Sequence, residues 1–186
     1  MNGRLWWYVA RAGGIVSWAL LAASVAWGLA LSSRVFGRRP RPAWLLDLHR
    51  FLGGLAGVFT AVHVAAIMLD SYVAFGLTDV LVPLTSKWHP VAVAWGVVGL
   101  YLLVAVELTS LARRWLPRRL WRAVHFASFP LFLTATVHGL SAGTDAHGPA
   151  VFVGVTAVVA VTVCLVAVRV EASRPVPGPP LVATDG

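Results

Sequence analysis

Five apolar stretches dominate this sequence of 186 residues, running approximately from Gly14 to Leu31, Ala43 to Leu69, Pro90 to Ala112, Leu120 to Ala142 and Pro149 to Val168. Each is of the order needed to cross a bilayer, about 20 residues of helix. Backbone polar groups in hydrocarbon must be satisfied within the chain, so stretches of this kind fold as helices. The composition agrees: 59% of residues are hydrophobic and only 12% charged, against about a quarter charged in soluble domains. An ordinary soluble enzyme and a disordered chain are excluded. The expected fold is an all-α integral membrane protein, a bundle of about five transmembrane helices.

The first stretch has features of a secretory signal, with Arg4 and Arg11 ahead of an apolar core. Ala30-Leu31-Ser32 is a poor cleavage site, however, and Arg34, Arg38, Arg39 and Arg41 follow like a stop-transfer signal. A retained span is expected. The chain then divides into an interfacial segment over 1–13, a transmembrane domain over 14–169 and a disordered Pro-rich tail over 170–186.

The net charge of +8 has a topological explanation. Four arginines fall in residues 34–42 and five in residues 113–122, with no acid in either loop. The alternate loops hold Asp70, Asp79, Lys87 and Asp145. By the positive-inside rule both basic loops are cytoplasmic, which puts the N-terminus outside and the C-terminus inside. No nucleic-acid role is expected. Trp6, Trp7, Trp44, Trp88, Trp115 and Trp121 lie near span ends, as an interfacial belt does. The single cysteine, Cys164, excludes an internal disulfide, an iron–sulfur site and covalent haem attachment.

Four histidines lie within spans: His49 and His63 in the second, His125 and His138 in the fourth. Ionisable groups are costly in a membrane and mark sites. The second and fourth spans run in the same direction, so His49 and His125 share an inner depth and His63 and His138 an outer one. The 14-residue step in the second span covers about 21 Å and returns to within about 40° of the same face. The 13-residue step in the fourth covers about 20 Å but misses by about 140°. A distortion at Pro130, between the two histidines, is therefore required.

Two imidazoles per depth are too few for a structural zinc site, which takes about four protein ligands. A haem brings four equatorial nitrogens and asks for two axial ligands, and without CxxCH it is non-covalent, b-type. Gly53, Gly54 and Gly57, between His49 and His63, permit close approach of a haem or of another helix. Arg50, Arg118, Arg119 and Arg122 are candidates to hold propionates, with Asp47 and Glu107 as partners for such arginines.

The arrangement resembles the ferric reductase-like transmembrane domain, whose members carry two haem-ligating histidines on each of two helices. The match rests on His49-x13-His63 and His125-x12-His138, with the flanking segments Trp44-Leu-Leu-Asp-Leu-His49-Arg-Phe-Leu-Gly and Arg118-Arg-Leu-Trp-Arg-Ala-Val-His125. The resemblance implies two haem b groups, the inner on His49 and His125 and the outer on His63 and His138. It implies transmembrane electron transfer at the cell membrane, by an oxidoreductase subunit. Many relatives have six spans, against five here, and many carry a C-terminal flavin and nicotinamide module. This sequence has no GxGxxG fingerprint, so no NAD or FAD domain is expected. A cytoplasmic flavin reductase or membrane quinol is then the expected donor, and ferric iron or an extracytoplasmic redox protein the acceptor. His89 and His147, with Asp70, Asp79 and Asp145, are weaker candidates for an outer metal or docking site. The alternatives are a quinol-linked cytochrome b of another family and a histidine-relay transporter, the latter colourless when purified.

Overall fold

The computed structural model describes residues 2–33, 42–71, 73–144 and 148–171. Among these the chain forms seven helices and no strand: α1 (Asn2–Ser32), α2 (Ala43–Leu69), α3 (Leu77–Leu81), α4 (Pro90–Leu111), α5 (Arg118–His125), α6 (Ser128–Ala142) and α7 (Pro149–Glu171). Five spans are long and apolar enough to cross a membrane: α1, α2, α4, α5 continued by α6, and α7. This is an all-α, multi-pass membrane architecture.

Prolines set where the helices begin. Pro42 and Pro117 occupy the N-cap positions of α2 and α5, while Pro90 and Pro149 are the first residues of α4 and α7. A proline lacks the N–H that the first turn leaves unpaired anyway, so it starts a helix at little cost.

Two boundaries differ from expectation. The helix that carries the first span starts well ahead of Gly14: α1 is helical from Asn2, and its extra turns pack on α2. The fourth span is broken at Phe126–Ala127, ahead of Pro130. There the Ala127 N–H bonds to the Val124 carbonyl at 2.9 Å and the Phe129 N–H to the Phe126 carbonyl at 3.2 Å, both three residues back. This tighter winding supplies rotation that an ideal helix lacks. Pro130 itself stands in the first turn of α6, where proline is tolerated.

α1 packs most broadly on α2, and α4 on α6; the two pairs meet through α1 with α6 and α2 with α4. The core lies between them, built from Leu21, Ala22, Val25 and Leu29 of α1, Ala56 of α2, Leu103 of α4, and Leu131 and Phe132 of α6. Trp18 stacks on Phe132 at 6.2 Å and donates its indole N–H to Thr136 at 2.9 Å. Ser17 ties α1 to α2, donating to the Ala56 carbonyl at 3.0 Å and sharing a 2.6 Å bond with the Thr60 hydroxyl. The proline-rich tail, the 34–41 loop, Asp145 and His147 lie outside the described residues.

Candidate functional site

The fold brings the four histidines together as two pairs. The rings of His49 and His125 stand 6.0 Å apart, centroid to centroid, with planes turned by 82°. Those of His63 and His138 stand 6.2 Å apart, turned by 76°. Since His49 and His63, in order along α2, approach His125 and His138, in the same order along the fourth span, the two spans run in the same direction. Both expected pairings are present, although the fourth span needs its break to make them.

Each pair suits a two-coordinate role. Imidazoles ligating one metal from opposite sides, at about 2.0 Å per bond and about 1.1 Å from nitrogen to ring centre, have centroids about 6.2 Å apart. Among the described residues no group of three or more His, Cys, Asp and Glu side chains is gathered. The donor set is therefore two nitrogens per level, which fits the two axial positions of a haem.

Hydrogen bonds fix three of the rings. His63 Nδ1 bonds to the Ala10 carbonyl at 2.6 Å, His138 Nδ1 to the Ala92 carbonyl at 2.8 Å, and His49 Nδ1 to the Ser24 carbonyl at 3.1 Å. A carbonyl oxygen only accepts, so Nδ1 carries the proton in each case and Nε2 keeps its lone pair for a metal. The Ser24 hydroxyl lies 3.3 Å from the same His49 nitrogen. His125 is held otherwise: its ring stacks on Trp121 at 5.0 Å and 20°, and the Arg113 guanidinium lies 4.4 Å from the Trp121 ring centre. Trp121 is thus more than an interfacial anchor.

The glycines that make room for these rings are not the expected ones. A Cβ on Gly14 would come within 2.9 Å of the His63 ring, on Gly28 within 3.1 Å of His49, and on Gly96 within 2.8 Å of His138. Gly53 instead faces the Glu107 carboxylate, 2.9 Å from where its Cβ would be, and Gly54 and Gly57 have nothing within 4 Å. The overlooked signal is a repeated pentapeptide pattern, Ser24-Val-Ala-Trp-Gly28 on α1 and Ala92-Val-Ala-Trp-Gly96 on α4. Its first residue supplies the carbonyl and its last the space.

The remaining candidates are dispersed. Arg50 pairs with Asp47 at 3.2 Å, both exposed, and Arg118, Arg119 and Arg122 are exposed on α5. Glu107 has no arginine partner among the described residues and lies instead near Gly53 and Ser24. On the other side His89 is exposed, edge-on to Trp88 at 4.6 Å, in a left-handed conformation with φ 40°. Asp79 accepts the Gly76 N–H at 2.9 Å, at the start of α3.

No curated protein and no solved structure matches the chain. The family described as ferric reductase like transmembrane component matches residues 13–136, two thirds of the length. The matched segment holds His49, His63 and His125, together with both glycine-bearing pentapeptides, and stops two residues short of His138. The chain belongs to the ferric reductase-like transmembrane component family.

Proposed function

We propose that this protein carries electrons across the membrane through two b-type haems, each held between two histidines. His49 and His125 would hold the inner group and His63 and His138 the outer one. The observation that carries the reading is the pairing itself: two imidazole pairs at 6.0 and 6.2 Å, each matched to one metal between two nitrogens. Membership of a ferric reductase-like family supports it independently.

When bound, such haems would supply a one-electron couple at each depth, suited to electron transfer. The chain's own residues do the positioning. The carbonyls of Ser24, Ala10 and Ala92 select the tautomer that presents Nε2, and Gly28, Gly14 and Gly96 let the rings approach their helices. The apolar layer of Trp18, Phe132, Leu21 and Leu131 fills the space between the two levels and keeps water out. Arg50 and Arg122 are the arginines proposed for the inner propionates, with Arg118 and Arg119 as neighbours.

The proposed orientation puts the 34–42 and 113–122 loops in the cytoplasm, the N-terminus outside and the C-terminus inside. The transmembrane domain spans 14–169, with an interfacial segment before it and a Pro-rich tail after it. A cytoplasmic flavin reductase or membrane quinol is the proposed donor, and ferric iron or an extracytoplasmic redox protein the proposed acceptor.

The test is the dithionite-reduced minus oxidised absorbance spectrum of the detergent-purified protein, with haem quantified per chain. Two low-spin b-type haems per chain are expected. A colourless protein that takes up no added haem would overturn the reading.

A further inference from the structure

Three of the four imidazoles are held by one device. Each donates its Nδ1–H to a main-chain carbonyl of the facing helix, and four residues further along that helix stands a glycine. The couples are Ala10 and Gly14 for His63, Ser24 and Gly28 for His49, and Ala92 and Gly96 for His138. The spacing has a physical reason. In an α-helix the carbonyl of residue i lies beside residue i+4, whose N–H it accepts. A residue without Cβ at i+4 lets an imidazole reach that same oxygen.

His125 lacks the device. Its Nδ1 is buried and has no hydrogen-bond partner among the described residues. Stacking on Trp121 restrains the plane of the ring but supplies no acceptor. The helix register identifies what is missing. On α1 the two glycines stand 14 residues apart, and 14 residues beyond Gly96 on α4 is Ser110. The Ser110 hydroxyl is likewise buried without a partner. A side chain therefore stands where the other three positions have none. The carrier of His125 is also loosely seated: α5 is eight residues long, has no buried residue, and packs chiefly on α4.

We propose that His125 is the releasable ligand of the four, so that the inner level, and not the outer, opens to take a small neutral diatomic ligand such as carbon monoxide. The inference rests on the bis-histidine haem reading above. Outer-shell hydrogen bonds to ligating imidazoles are worth about 10–100-fold in metal affinity, and His125 goes without one. The exchange is a substitution with no change of oxidation state. The bond from iron to His125 Nε2 breaks, a bond from iron to carbon forms, and the imidazole keeps its proton on Nδ1.

The test begins with wild-type protein reduced by dithionite, its haem counted, and its spectrum taken before and after carbon monoxide. Two haems per chain are expected, with half of the haem absorbance moving to the carbon monoxide form. His138→Ala, left with the inner haem, should still bind the gas; His49→Ala, left with the outer one, should not. Ser110→Gly opens the way from His125 to the Val106 carbonyl and should weaken binding by about 10-fold or more. Two haems per chain with no gas bound would overturn this proposal alone, as would gas bound to the haem left in His49→Ala. Unchanged binding in Ser110→Gly would sink the account of the missing acceptor. Wild-type protein without haem would overturn both this proposal and the reading beneath it.

Discussion

A single methyl group separates tolerance from failure at the glycines of this bundle. Gly96→Ala puts a carbon 2.8 Å from the His138 ring, too close to stay, so the imidazole must tilt off the Ala92 carbonyl. The expected product holds about one haem per chain, the inner one, and is less stable by about 1–3 kcal/mol, the usual range for overpacking. Gly54→Ala meets nothing within 4 Å; it should keep both haems and change stability by less than about 0.5 kcal/mol. Haem quantification and thermal melts of the two variants check this. The contrast also marks the limit of what could be read from the sequence at this scale. The histidines announced themselves, because imidazoles are rare and costly within apolar spans. Their glycines did not, because the residue that makes room for a ring lies on a different helix. Proximity along the chain favoured Gly53, Gly54 and Gly57, none of which has a histidine ring within 4 Å of its Cβ position.

At the scale of the element, the fourth span decides whether the inner pair exists. Angular arithmetic on the 13-residue step was enough to require a distortion between His125 and His138, but it located the distortion at Pro130. The break falls earlier, at Phe126–Ala127, because a proline within a helix conflicts with the carbonyl four residues before it, here that of Phe126. That carbonyl turns instead to the Phe129 N–H. Pro130→Ala restores the missing donor, and α5 and α6 should then fuse into one helix that carries His125 away from His49. The expected outcome is a rise in helical circular dichroism together with loss of about one haem per chain, the outer haem remaining. Equal retention of both haems would show that the break does not depend on the proline.

For the whole molecule, the apolar pattern alone located five spans, and the ends of α2 and α4 agree with it almost residue for residue. The start of α1 was hidden because Trp6, Trp7 and Tyr8 carry no apolar-run signal strong enough to extend the span. Helical continuity there comes from packing: a Cβ on Gly13 would lie 3.4 Å from the His63 backbone. α7 is the least enclosed of the five spans. It lies beyond the family match, packs chiefly on α1, and exposes Phe152, Val153, Val161, Val163 and Cys164. A groove of about 340 Å³ separates it from α1, lined by Trp18, Ala22, Ala26, Val158 and Thr162. Cys164 is the one thiol in the chain and is seven residues from the end of α7, about 10 Å inside it. A lipid-soluble maleimide should therefore label intact membranes, whereas a charged, impermeant one should label neither face.

Gly14 and Gly28 are two points on one uninterrupted helix, each pressed against a different imidazole. Sliding α1 by one residue, about 1.5 Å and 100° of rotation, would drive side chains into both rings at once. The helix acts as a key cut at two depths, and it seats in one register only. A force that tilts α1 at one surface of the membrane must for that reason reach the imidazole near the other.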